Sequence, residues 1–178
     1  LDFEGWEMLR SQLGQPPEAY FDARYTVLRQ PLGMPRGSER LADDQEAAHA
    51  WVELDGQVIA VGRAHVLPDD SDGSGLDHKG PGAAAIPAFG PLARNEVERP
   101  VFQIRQMGTL PGHQRQGHAA AVLGELEQLM VREFGTQIGF LQARELAVPF
   151  YATQGWTVID EPYSITNIGP HRSMMKKF

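Results

Sequence analysis

Hydrophobic and polar positions repeat regularly along much of the chain, and each pattern predicts an element. In PPEAYFDARYTVLRQPLG, Tyr20, Ala23, Tyr25, Val27 and Leu28 fall roughly on one side, which predicts a helix that ends at Pro31 and Gly33. Ala48 to Leu54 and Val58 to Leu67 are β-rich runs joined by Asp55-Gly56, a dipeptide suited to a two-residue type I′ turn, so they predict a hairpin. Alternation assigns Val58, Ala60, Ala64 and Val66 to one face, and Ile59, Val61, Arg63 and His65 to the other. Val101 to Leu110 reads as a strand running into Pro111-Gly112. From Gly117 to Phe134 the apolar positions Ala119, Val122, Leu123, Leu126, Leu129, Met130 and Phe134 keep helical spacing, with Gly135 as the C-cap glycine. Ile138 to Ala143 reads as a buried strand, ELAVPFYATQ as a short helix near Pro149, and GWTVID and RSMMKKF as closing strands. This order predicts an α/β fold with helices flanking a mixed central sheet, antiparallel at its start and with a parallel pair in its middle.

Between Pro68 and Pro100 the pattern stops. The stretch is crowded with Gly, Pro and Asp and has no sustained period, so it reads as a long surface insertion within one domain spanning 1–178. Its run of Asp69, Asp70, Asp72, Asp77 and His78 lacks the spacing of a calcium loop and reads as a mobile polar loop; no metal site is expected. Trp6, Trp51 and Trp156 read as core or rim packing. The length of 178 residues suits one core, and the absence of cysteine excludes disulfides, thiolate zinc sites and cysteine nucleophiles. A formal charge of −7 argues against general affinity for nucleic acid or anionic membrane. No apolar run is long enough to span a membrane, and Leu1 to Leu13 carries Asp2, Glu4 and Glu7 where a leader would be basic and then apolar, so a soluble, cytoplasmic protein is expected.

The charge picture changes in one place. No Asp or Glu occurs between Glu98 and Glu125, whereas Arg105, His113, Arg115 and His118 fall inside that window. Its centre, Thr109-Leu110-Pro111-Gly112-His113-Gln114-Arg115-Gln116-Gly117-His118-Ala119, is a strand end, a turn and a helix start. A helix N-terminus offers unpaired N–H groups and a positive dipole end, so it can receive phosphate oxygens. Gly112 and Gly117 have the spacing of a nucleotide-triphosphate loop, but His118-Ala119 replaces the required Lys-Ser/Thr pair; the dinucleotide fingerprint fails for want of Gly-x-Gly. The segment resembles the pyrophosphate loop of the GCN5-related N-acetyltransferases (GNAT), Gln/Arg-x-x-Gly-x-Gly/Ala, through Gln114, Gly117 and Ala119. Ala147 and Tyr151, followed by Gly155-Trp156, match the family's later Ala-x-x-x-Tyr and Gly-Phe, and Ile168-Gly169-Pro170-His171 with Met174 resembles an ending found in one of its branches.

The resemblance implies a GNAT-like single domain that transfers an acyl group, expected to be acetyl, from acetyl-CoA as co-substrate to a primary amine by direct attack. It implies that the cofactor lies between strands 101–110 and 138–143. The backbone N–H groups of Arg115, Gly117, His118 and Ala119 would hold the pyrophosphate, beside Gln114 and Gln116 of the same loop. The main chain of Met107 and Thr109 would pair with the pantetheine amides, and an N–H near Thr109 would stabilise the oxyanion. Arg144 stands where many members have Asn, another contact to the pantetheine arm. Tyr151 resembles the acid that protonates the leaving thiolate; its other reading is a packed core tyrosine. Strand 101–110 lacks the glutamate some relatives use as base, which leaves His65 and His171 as candidates, each also readable as a structural histidine. The expected partners are a CoA thioester and an amine acceptor, with no nucleic acid or membrane and a homodimer left open. The alternative function is a non-catalytic CoA-binding sensor or interaction module.

Overall fold

The computed structural model describes residues 6–76 and 83–178. Asp77 and His78 of the acidic run, and the first five residues, lie outside the described residues. The strands form a mixed eight-stranded sheet in the order β1-β2-β3-β6-β7-β10-β8, with β9 paired to β10. By internal packing the chain forms two compact units, Leu1–His65 with Arg105–Met130, and Val66–Ile104 with Val131–Phe178.

The first unit opens with β1 (Glu7–Leu13), which the sequence pattern did not predict. It pairs antiparallel with β2 (Ala48–Leu54) from Glu7↔Leu54 to Leu13↔Ala48. Its Met8, Leu9 and Leu13 are exposed, so no buried alternation marks it. Trp6, expected to pack, is 77% exposed, while Trp51 and Trp156 are buried. Helix α1 (Glu18–Leu28) follows, and β2 turns into β3 (Gln57–Val66) through Asp55 (φ 52°) and Gly56 (φ 81°), the two left-handed residues of the predicted turn. One expectation about this hairpin is corrected. The register slips between Val52↔Ala60 and Glu53↔Val58, leaving Ile59 as an extra residue, and this bulge reverses the alternation at Val58. Val58 therefore joins Tyr20, Phe21, Trp51 and Val61 beneath α1, not the face of Ala60 and Ala64. The other face of β3 meets α3 (His118–Phe134): a Cβ at Gly62 would stand 2.6 Å from Val122 Cγ1, so only glycine admits the helix this close. Val122, Leu123, Leu126, Leu129 and Met130 are buried as the helical period predicts, whereas Phe134 lies at the exposed end. Gly135 (φ 65°) closes the helix as expected, its N–H donating to Val131 O.

Under α1 the sheet carries charge. Asp44 accepts from Arg24 Nη1 at 3.0 Å and from Arg63 Nη1 at 3.2 Å, both guanidiniums being fully buried. Arg63 Nη2 stands 2.7 Å from Asp43 Oδ2, within ion-pair distance but off the line of a hydrogen bond. Arg24 Nη2 donates to Tyr20 Oη, and the Tyr20 hydroxyl donates to Gly62 O. The network fastens the irregular segment 34–47 to α1 and β3, and removing one partner from such a buried cluster costs about 3–5 kcal/mol.

The second unit contains the Gly/Pro-rich segment, which holds β4 (Gly75–Leu76), β5 (Ala85–Ile86) and α2 (Gly90–Ala93). Its described residues are mostly exposed or half-exposed, but it is anchored: Phe89 and Leu92 are buried with Leu67, Val101 and Phe140 in an apolar cluster. Two or three well-spaced anchors suffice to bury an aperiodic loop, and periodicity cannot reveal them. Strand β6 (Phe102–Thr109) contributes to both units, and its first residues pair in parallel with β7 (Ile138–Arg144) from Phe102↔Gly139 to Ile104↔Leu141. The short helix α4 (Val148–Thr153) and strands β8 (Thr157–Val158), β9 (Tyr163–Ile165) and β10 (Gly169–Lys177) complete it. β10 lies antiparallel to β7, and β6 with β7 is the predicted parallel pair in the middle of the sheet. GWTVID supplies only two strand residues, and β9 was not predicted.

Candidate active site

In the first unit β6 hands over to α3 through a turn with three left-handed residues, Gly112 (φ 87°), Arg115 (φ 61°) and Gly117 (φ 87°). Gly117 O accepts the N–H of Ala121, so Gly117 caps the helix and the N–H groups of His118, Ala119 and Ala120 have no partner within it. Nothing described lies within 4 Å of a Cβ placed on Gly117, and the first turn of α3 contains no acid. Gln114, Arg115 and Gln116 are exposed, while His118 is buried with its Nε2 3.2 Å from Gln116 Oε1. One carboxylate does approach from outside the acid-free window: Glu7 Oε1 lies 3.9 Å from His118 Nε2. Open space, positive backbone and glycine at the cap suit a diphosphate.

Met107 and Thr109 lie half-buried on β6. Between Arg105 and Met107 the strand is interrupted by Gln106 (φ 58°), a left-handed residue inside a β-strand, as in a bulge that re-aims the residues around it. Arg29 Nη2 donates to Gln106 Oε1 and ties the bulge to the end of α1. Sequence reasoning missed Gln106, because a non-glycine residue in this conformation leaves no compositional mark.

His65 lies on β3 with Nδ1 covered and without a hydrogen-bond partner among the described residues. Burial, with the nearby charges of Arg63 and Arg105, pushes its imidazole down to about 3. Such a ring is neutral at pH 7 but weakly basic, poorly matched to taking a proton from an ammonium group. His49 is pushed down to about 4, first by burial, and bonds Asp44 O through Nε2 at 2.8 Å.

The second unit holds Arg144, Tyr151 and His171. Arg144 is exposed at the end of β7, level with His171 in the β7–β10 register. Tyr151 is buried on α4, and burial pushes its phenol up to about 12, so it stays protonated at any physiological pH. His171 Nδ1 lies 2.8 Å from Gly169 O, which fixes the proton there and leaves Nε2 as an acceptor. Its imidazole is held below the usual value mainly by burial, with Arg144 adding to the effect. His171 also stacks on Tyr163, ring centroids 6.0 Å apart. Among the described residues there is no group of three or more His, Asp or Glu that could hold a metal ion, and no helix long and apolar enough to cross a membrane.

An acid-free helix start after a bulged strand, on a mixed sheet flanked by helices, is the arrangement that the resemblance implied. Residues 6–156 match the model of the acetyltransferase (GNAT) family, and the chain belongs to that family. It is 30% identical over 93 residues to the uncharacterized N-acetyltransferase YitI of Bacillus subtilis (strain 168), a match covering 52% of this chain and 62% of that protein, less than two thirds of its length. The fold is that of Escherichia coli ElaA (TM-score 0.69, 14% identity, 96% of this chain and 100% of that one). It is likewise similar to the PaiA N-acetyltransferase of Thermoplasma acidophilum, solved in complex with coenzyme A (TM-score 0.59, 12% identity, 97% and 99%).

The two low-pKa histidines predict how the protein responds to acid. Below about pH 6.5, the unperturbed value, the unfolded chain takes up protons on His49 and His65 that the folded chain refuses. Stability is therefore complete above that pH and falls as pH drops toward the folded-state values. Urea unfolding between pH 6 and 5 should show His65→Gln with a dependence shallower by about 1.4 kcal/mol per pH unit, one proton's worth. Equal slopes would mean that His65 is charged in the folded protein.

Proposed function

We propose that this chain is an acyl-CoA-dependent N-acyltransferase that uses acetyl-CoA and a primary amine. The observation that carries the reading is the β6–α3 turn, with open space over Gly117 and unpaired N–H groups at His118, Ala119 and Ala120. A CoA thioester bound there supplies an activated acyl group and a thiol leaving group. The N–H groups of Arg115, Gly117, His118 and Ala119 cradle its diphosphate, Gln114 and Gln116 border it, and the β6 main chain at Met107 and Thr109 takes the pantetheine arm. An amine of pKa about 10 arrives mostly protonated at pH 7 and must lose a proton before it attacks. His171 is the better base of the two candidates: its Nε2 is a free lone pair by tautomer, and it is less deeply depressed than His65. Tyr151 keeps its proton at neutral pH and is the acid that returns one to the departing thiolate.

Gly117→Asp places a carboxylate in the cradle, and calorimetry should register at least a roughly tenfold loss of CoA affinity; unchanged affinity removes the main support for the reading. Tyr151→Phe should slow thiol release with an accepted amine by about 100- to 1000-fold while CoA affinity holds. For His171→Ala the loss should be greatest near neutral pH and shrink as rising pH supplies free amine, so a deficit equal at every pH would tell against the base assignment. Tight CoA binding with no thiol release across small amines and peptides would indicate the sensor function instead.

A further inference from the structure

Alternation along β7 sends Phe140, Gln142 and Arg144 to one face of the second unit's sheet, and the antiparallel register sets Met175, Ser173 and His171 of β10 beside them. Gln103 of β6 is level with Phe140, and Tyr163 of β9 is level with His171. At one end the face is apolar, with the Phe89 and Phe140 rings 4.9 Å apart. Toward the other it becomes a polar row, and buried polar groups are nearly always hydrogen-bonded. Gln103 Nε2 donates to Gln142 Oε1 at 2.9 Å, Ser173 Oγ reaches Tyr163 Oη at 3.5 Å, and His171 Nδ1 is taken by Gly169 O. One donor is left over: Gln142 Nε2 is covered and has no hydrogen-bond partner among the described residues. Leucine would fill the same strand position without that penalty, so an unmet amide here points to an oxygen that arrives from outside. Gln142 is half-buried as a residue, and its terminal amide turns on a soft torsion that can bring the N–H toward the surface.

The charge of the row limits what that oxygen belongs to. Among the described residues the face carries no carboxylate of its own, and the acid that bears on Tyr163, Asp160, already accepts the Gly90 N–H at 2.8 Å. A polyamine or an amino sugar with several ammonium groups would find no free anions here.

We propose that Gln142 determines acceptor specificity by donating Nε2–H to a carbonyl oxygen, so that the acceptor is an amine with an amide or ester carbonyl on the adjacent carbon, as at the amino end of a peptide. That the ligand is an amine rests on the acyltransferase reading; the unmet donor does not. The test is an NMR titration of the full chain with two product analogues, N-acetylglycinamide, which carries the extra carbonyl, and N-ethylacetamide, which lacks it. The native protein should prefer the first by about tenfold, the scale of one buried hydrogen bond. Gln142→Leu and Gln142→Glu, neither of which offers the donor, should both abolish the preference, with folding checked by their melting temperatures. Equal binding of the two amides, binding of neither, or a preference that survives in both variants overturns the proposal. Thiol release with ethylamine in the same preparation would leave the acyltransferase reading standing when this one falls.

Discussion

The constraint on which the rest of the structure depends is that α3 must begin in open space with its first N–H groups unpaired. A helix of 17 residues whose cap is a glycine has no side-chain oxygen at that position to satisfy those groups. The turn before it also holds Arg115 in the left-handed region, a conformation costing roughly 1–2 kcal/mol for a residue with a Cβ. Both costs are local, and both are offset by packing further along: Val122, Leu123 and Leu126 are buried, and Gly62 on β3 lets the helix axis approach the sheet. The body of α3 thus sets where its strained N-terminus points. The bulge at Gln106, held by Arg29, does the corresponding task for the strand that leads into the turn.

Charge inside the first unit is balanced, two buried guanidiniums standing against buried Asp44 and Glu39. The protein carries a formal −7, yet beneath α1 two buried guanidiniums converge on Asp44, with Asp43 as a half-exposed second partner. The arrangement does not stabilise the fold by ion pairing alone, because desolvating three charged groups consumes most of what their attraction returns. What it gives is specificity of position, since the segment 34–47 is tied through Asp44 to α1 and β3 at once. The same cluster acts on His65, where burial and the charges of Arg63 and Arg105 outweigh the opposing pull of Asp43 and Asp44. At His171 burial and Arg144 also lower the imidazole, while the hydrogen bond to Gly169 O supports its protonated form.

What was legible in the sequence follows from which signals are periodic. The helix at 118–134, the hairpin turn at Asp55-Gly56 and the parallel pairing of β6 with β7 all rest on repeated apolar positions or on a dipeptide with one conformational use. The turn between β6 and α3 was legible too, because it combines glycine spacing with an acid-free window. Elements lacking a repeat were not: β1 exposes its apolar side chains on the edge of the sheet, and the loop anchored by Phe89 and Leu92 has no period at all. The bulge at Ile59 could not be read either, since one unpaired residue changes the face of Val58 without changing the composition of the strand. Gln103 and Gln142 are polar residues inside strands that otherwise read as buried, and periodicity alone does not single them out.

Their placement explains how one face of the second unit serves two purposes. Each strand gives alternate residues to the face, and along β7 these pass from Phe140 to Gln142 to Arg144, while β10 passes from Met175 to Ser173 to His171. The apolar packing lies at the Phe140 end, where Phe89 and Leu92 of the loop are buried with Phe140, Leu67 and Val101. The loop does not merely decorate the surface: by sealing the apolar end, it permits the remaining positions of the same strands to be polar without loss of the core. A sheet obliged to bury its whole face with aliphatic side chains would have no room for a titratable imidazole at 171 or for an amide at 142. The long insertion and the polar row are therefore two sides of one division along the strands: a shorter loop, without Phe89 and Leu92, would leave the Phe140 end of the face to be covered by other hydrophobic residues.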